Sequence, residues 1–78
     1  MEKNDDLNYY KVRTYGKSEL AQLYNPVAQP KAAVATLNRW IEKNSGLSKA
    51  LTAIGYDKMR HTFLSREVAL IFEYLGEP

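Results

Sequence analysis

Arg39 and Lys43 stand about one helical turn apart. With Ala32 and Thr36 they fall at i, i+4, i+7 and i+11 of a stretch that opens at Pro30. Small residues where a helix begins, with bases further along, let a helix enter a major groove and reach phosphates and base edges. Lys31 and Asn38 flank the face. The chemistry on offer is contact with a polyanion: double-stranded DNA as partner, with Lys31, Ala32, Thr36, Arg39 and Lys43 as the contacting residues. The same spacing equally describes a solvated helix face that happens to carry two bases.

Catalytic chemistry is poorly supplied. The chain has no cysteine, and its single histidine, His61, has neither a second imidazole nor a thiolate to complete a metal site. Glu19 and Glu67 occupy similar places near helix starts, where the helix dipole alone explains an acid. The four glycines are isolated at helix ends, so no glycine-rich phosphate loop is present. The expectation is no enzyme, no metal and no small-molecule cofactor. A further cluster places Tyr9, Tyr10, Tyr15, Tyr56 and Phe63 near Lys11, Arg13, Lys58 and Arg60. Aromatics interleaved with bases can stack single-stranded nucleic acid, but filling the core of so small a domain is the favoured role.

The elements that must position these residues are marked by a pattern that occurs twice. Tyr15-Gly16-Lys17-Ser18-Glu19-Leu20-Ala21 matches Phe63-Leu64-Ser65-Arg66-Glu67-Val68-Ala69, and both continue through an aliphatic residue to an aromatic one. Each reads as a helix start, acid first and apolar stripe after. Residues 1–7 are expected to be a disordered lead-in, and 8–78 a single helical domain. Residues 8–15 alternate Tyr10 and Val12 with Lys11 and Arg13, which predicts an extended segment with one buried face. The first helix is expected over about 17–24, ended by Asn25-Pro26. The second runs from Pro30 to about Asn44, buries Ala33, Val34, Leu37, Trp40 and Ile41, and stops at Ser45-Gly46. The third spans about 47–54 with Gly55 as its cap. A second extended stretch near Thr62-Phe63 can pair with the first. The fourth helix starts behind Ser65 as N-cap, runs to Leu75 before Gly76, and leaves Leu70 solvent-exposed.

A chain of 78 residues is one domain, and its 45% hydrophobic and 26% charged composition suits a globule. The net charge of +2 hides an uneven distribution. Residues 31–66 carry seven bases against Glu42 and Asp57, a net of +5, whereas Glu67, Glu73 and Glu77 leave the last segment acidic. Residues 1–6, with Glu2, Asp5 and Asp6 against Lys3, carry a net of −2, and a basic middle between acidic ends can draw in a polyanion. No apolar run approaches the roughly 20 residues of a spanning helix, and the polar start lacks a signal peptide's apolar core. A cytoplasmic protein with no membrane partner is expected.

Two resemblances add to this reading. Lys17-Ser18-Glu19-Leu20-Ala21-Gln22-Leu23-Tyr24, followed by Leu37-Asn38-Arg39-Trp40-Ile41, resembles the helix-turn-helix of MerR-type and excisionase-like regulators. That likeness implies a DNA-binding role. From about Tyr10 to Pro78 the chain also resembles small Bacteroides-type proteins sharing a domain of unknown function, which implies a bacterial origin and no particular activity. That likeness rests on residues 15–21, Arg39-Trp40-Ile41, the segment 51–56 and residues 65–78.

The expected fold is therefore mainly α: a small four-helix, helix-turn-helix-like domain whose two short extended segments can form a minimal sheet. The first functional expectation is a DNA-binding or DNA-associated accessory protein using its second helix. The alternative is a protein-interaction module or homodimeric adaptor, with Leu64 and Leu70 forming an apolar patch.

Overall fold

The computed structural model describes residues 11–78. The lead-in expected over 1–7, and the part of the first extended segment at 8–10, lie outside the described residues. Within them the chain runs β1 (Tyr15–Gly16), α1 (Lys17–Tyr24), α2 (Pro30–Lys43), α3 (Ser45–Ala53), β2 (Thr62–Phe63) and α4 (Ser65–Leu75). The described residues form four helices, are 62% helical and carry a small two-strand antiparallel sheet, as the sequence pattern leads us to expect.

The duplicated pattern is the centre of this architecture. The two matched aromatics face one another across the sheet, Tyr15 opposite Phe63, with Gly16 opposite Thr62. The Lys17 amide extends the pairing by donating to the His61 carbonyl at 2.9 Å. From each two-residue strand the chain turns directly into a helix, and the third helical residue is Glu19 in α1 and Glu67 in α4. Each carboxylate reaches back to accept the N–H at the helix entrance: Gly16 to Glu19 at 3.2 Å and Leu64 to Glu67 at 2.8 Å. That is the acid's half of a capping box, in which a side chain satisfies a backbone donor that has no intrahelical partner.

The two copies differ in burial. Glu19 pairs with Arg13 at 2.9 Å on the surface, both side chains about half exposed. Glu67 is 0% exposed. It takes a bidentate pair of hydrogen bonds from Arg60, 2.9 and 3.1 Å long, in addition to the Leu64 amide. Leu64 therefore occupies the N-cap position of α4, and Ser65, expected there, is the first helical residue. The long Glu side chain can bond the backbone N–H from inside the helix, so the hydroxyl is not needed.

The apolar core is drawn from every element. Leu20 and Ala21 of α1, Ala33, Leu37 and Ile41 of α2, Leu47 and Leu51 of α3, and Val68, Ile71 and Phe72 of α4 surround Tyr15 and Phe63. Trp40, expected in this core, is instead 40% exposed. It sits at the edge of the α2 stripe and meets Tyr24 edge-on at 6.0 Å. Leu70, expected in solvent, is half-buried and packs against the core. Val12 is 55% exposed, so the buried alternation expected over 8–15 does not hold there, and the strand begins only at Tyr15.

Ser45 and Gly46 begin α3 rather than stopping α2. Asn44 serves both helices: its amide donates to the carbonyls of Trp40 and Ile41, while its side-chain oxygen accepts the Leu47 N–H at 3.0 Å. Gly46 is needed for space, since a Cβ there would come within 2.9 Å of the Tyr74 ring. Gly55, with φ of +83°, ends α3 as expected. The Gly55 and Tyr56 amides return to the carbonyls of Thr52 and Leu51, which is a Schellman closure.

The contrast between the two acids makes a prediction. Glu67→Ala should lower the unfolding free energy by about 3 kcal/mol, because it strands a half-buried guanidinium and a backbone donor that lose a fully buried carboxylate. Glu19→Ala, at the matching position, should cost far less because water already reaches both partners. Urea denaturation of the two variants checks this, and equal losses would contradict it.

Candidate nucleic-acid interface

The core side of α2, made by Ala33, Leu37 and Ile41, sets which way the rest of the helix faces. Lys31, Ala32, Arg39 and Lys43 are exposed, and Thr36 is half-buried. Ala32, Thr36, Arg39 and Lys43 follow one stripe, as their spacing predicts. Arg39 donates to the Thr36 hydroxyl only at 3.4 Å, so its guanidinium is left largely uncommitted. Lys31 belongs to a different stripe, one turn before Val34 and two before Asn38. The five residues expected to act together thus divide between two sides of the exposed surface. Glu42 shares that surface and lies 3.8 Å from Lys58.

On the side that Val34 and Asn38 share, α2 borders a cleft of 340 Å³ closed by the start of α1 and by residues 58–61. Lys17 lies here, only 9% exposed. Its ammonium donates to the Lys58 carbonyl at 2.7 Å and lies 4.8 Å from the Tyr56 ring centroid and 5.3 Å from that of Phe63. These rings stack on each other at 5.7 Å and 19°. Cation–π contact and one carbonyl compensate part of the lost hydration. Burial, and then the nearby positive charge of Arg60, nevertheless lower the Lys17 pKa from its ordinary value. Burial pushes Glu67 the other way, up, but the hydrogen bonds from Arg60 and Leu64 outweigh it and hold the carboxyl below its usual range.

Several sequence-level candidates find structural roles. Tyr15 and Phe63 are core residues, and Tyr56 is half-buried, so the favoured reading of these aromatics holds. Arg13 lies 3.7 Å over the Tyr15 ring while bonding Glu19, and Arg60 is engaged by Glu67. Tyr9 and Tyr10 lie outside the described residues. Leu64 and Leu70 are both half-buried, which leaves less apolar surface between them than an exposed Leu70 would give. Among the described residues, no group of three or more His, Asp or Glu is placed to hold a metal ion. Nor is any helix long and apolar enough to cross a membrane.

The grouping of Lys17, Lys58, Arg60 and His61 around one cleft was missed at the sequence level. A signal for Lys17 existed. It stands three residues before Leu20 and four before Ala21, in phase with the buried stripe of α1. Glu67 gives the same signal, four residues before Ile71. The partners at 58–61 come from a loop without periodicity, so only the tertiary fold reveals them.

The chain belongs to the family described as a domain of unknown function, DUF4248, which matches residues 11–78. No curated protein matches the chain. No solved structure matches it either.

Two half-buried phenols give the domain a pH signature. Burial first, then the carboxylates of Glu67 and Glu77 respectively, push Tyr56 and Tyr24 from 10.0 up to about 12. Between these values the folded chain keeps protons that the unfolded chain releases, so stability falls as pH rises from about 10 towards 12. Lys17 has the opposite sign, because its pKa is lowered in the folded state. Denaturant midpoints across this range should decline less steeply in Tyr56→Phe than in the unaltered protein. An unchanged or steeper slope would contradict the assignment.

Proposed function

We propose that this is a DNA-associated accessory protein that lays the exposed face of α2 against duplex DNA. The observation that carries the reading is the orientation of α2. Arg39 and Lys43 are held outward by a helix whose opposite side is locked into the core, and among the described residues neither has a carboxylate partner. A helix of 14 residues is about 21 Å long, enough to follow a groove past several phosphates. Ala32 keeps the start of the face small, and Thr36 offers a hydroxyl beside Arg39.

The helix-turn-helix likeness supports the same reading. In it α1 is the supporting helix and α2 the reading helix, joined through residues 25–29. Those residues are tied down by the Gln22 side chain, which donates to the Ala28 carbonyl at 3.2 Å, and by the Ala28 amide, which donates to Asn25 at 3.1 Å. A tied connection fixes the angle between the helices before DNA arrives. The role is non-enzymatic, needs no cofactor and fits a bacterial cytoplasm.

Half-exposed Trp40 beside Leu75, Lys43 and Asn44 favours the second reading, a protein-interaction module. Salt separates the two. Phosphate contact releases counterions, so each lost contact reduces the slope of log affinity against log salt by about 0.9. The double variant Arg39→Ala, Lys43→Ala should weaken binding to a random duplex, flatten that slope by about 1.8, and leave the thermal midpoint nearly unchanged. Lys49→Ala, on the exposed side of α3, is the control. Fluorescence anisotropy from low to moderate salt reads all three proteins. Salt-insensitive or absent binding, or an equal loss in the control, would overturn the DNA reading in favour of the interaction module.

A further inference from the structure

We propose that the cleft between the start of α1, the middle of α2 and residues 58–61 is a phosphate-binding site. It is separate from the Arg39 and Lys43 stripe and does not depend on that stripe touching DNA. Lys17, Ser18, Asn38, Lys58, Arg60 and His61 line it, and no carboxylate does. The neighbouring groove between α2 and α3 contains Glu42 and lacks this character.

The donors are arranged around unmet capacity. The Lys17 ammonium has three N–H bonds, and among the described residues one carbonyl, that of Lys58, accepts from it. Arg60 has five N–H bonds. Three are used, by Thr62 and by both oxygens of Glu67, which fixes the guanidinium plane. Lys58 and His61 stand exposed at the rim, and Ser18 lies in the first turn of α1, where backbone N–H groups lack intrahelical acceptors, while the Lys17 N–H is already taken by the His61 carbonyl. Burial first, and then the positive charge of Arg60, lowers the Lys17 pKa, with Asp57 and Glu67 acting against them and Lys58 adding a smaller push in the same direction. An anion carrying several acceptor oxygens satisfies these donors together, whereas the carboxylates of this chain meet them singly, Glu67 on the inner side of Arg60 and Glu42 at 3.8 Å from the exposed Lys58 ammonium.

The volume of 340 Å³ lies in the range of small-molecule sites, so the cleft has room for more than a bare ion. The ligand class is a phosphate group, carried either by a free nucleotide or by a nucleic-acid strand. Lys17 supplies the deep charge, Arg60 a fixed planar donor, and Lys58 and His61 close the rim.

The test is an amide chemical-shift titration of the full chain with inorganic phosphate, with a nucleoside 5′-monophosphate and with a short duplex, repeated on variants. Saturable shifts at the amides of residues 17–18 and 58–61 are expected, with affinity falling about tenfold in the double variant Lys58→Ala, His61→Ala. Lys17→Met keeps the buried stem and should abolish the saturable shifts. Should that variant not fold, the rim pair alone decides. Response to phosphate and the nucleotide identifies a free ligand. Response of the same amides to the duplex alone, lost in the rim variant, identifies a strand phosphate. Shifts spread evenly over Lys31, Lys43 and Lys49, or none at residues 17–18 and 58–61 with any of the three, would overturn the site. Duplex shifts confined to α2 would overturn it while leaving the proposed function standing.

Discussion

A buried carboxylate organises this domain. Glu67 sits fully out of water, and a carboxylate there is tolerable only if its oxygens are occupied. The Leu64 amide and the Arg60 guanidinium occupy them, so one side chain closes the entrance to α4, anchors the 58–61 loop and holds β2 in place. Two-residue strands have little stability of their own. Here each strand is clamped at the point where it becomes a helix, by Glu19 on one side and Glu67 on the other. The sheet is a junction between two helix entrances more than a sheet in its own right.

That junction decides which cations are available to a partner. Arg13 and Arg60 are engaged by Glu19 and Glu67, and Lys17 is drawn inward by two aromatic rings and a carbonyl. Arg39 and Lys43 remain on the outside of α2 because Ala33, Leu37 and Ile41 claim its inside. The proposed polyanion surface and the proposed phosphate cleft are therefore two consequences of one packing solution. The first is what the core turns outward, and the second is what the clamp draws together without fully satisfying.

Much of this was legible in the residues. The duplicated aromatic-to-acid pattern marked two helix entrances, and the apolar spacing located all four helices to within a few residues. Other features escaped for physical reasons. A wheel assigns Trp40 to the buried face because it neighbours Ile41, but the contact arc of α2 is narrower than that, and the indole stays 40% exposed with Tyr24 edge-on to it. Leu70 errs the other way, since it packs against the core cluster and is half-buried. Asn44 joins two helices that sequence rules separate by a Ser-Gly stop, because one amide side chain can cap the second helix while its backbone closes the first. The dipole explains an acid at both Glu19 and Glu67, yet nothing local says that one will be buried and the other not. Each acid has an arginine partner, Arg13 or Arg60, and the difference lies in the tertiary packing that covers Glu67 alone.

Native-state hydrogen exchange tests the central claim, the Glu67 clamp, most directly. The Leu64 amide has no backbone acceptor in the sheet or helix and is protected through the Glu67 carboxylate. If the clamp holds the fold together, Leu64 exchanges only on global unfolding, as slowly as the core amides of Leu20 and Ile71. The Gly16 amide, held by half-exposed Glu19, exchanges through smaller openings and faster. Exchange of Leu64 at the rate of Gly16, with the core amides still protected, would contradict the account.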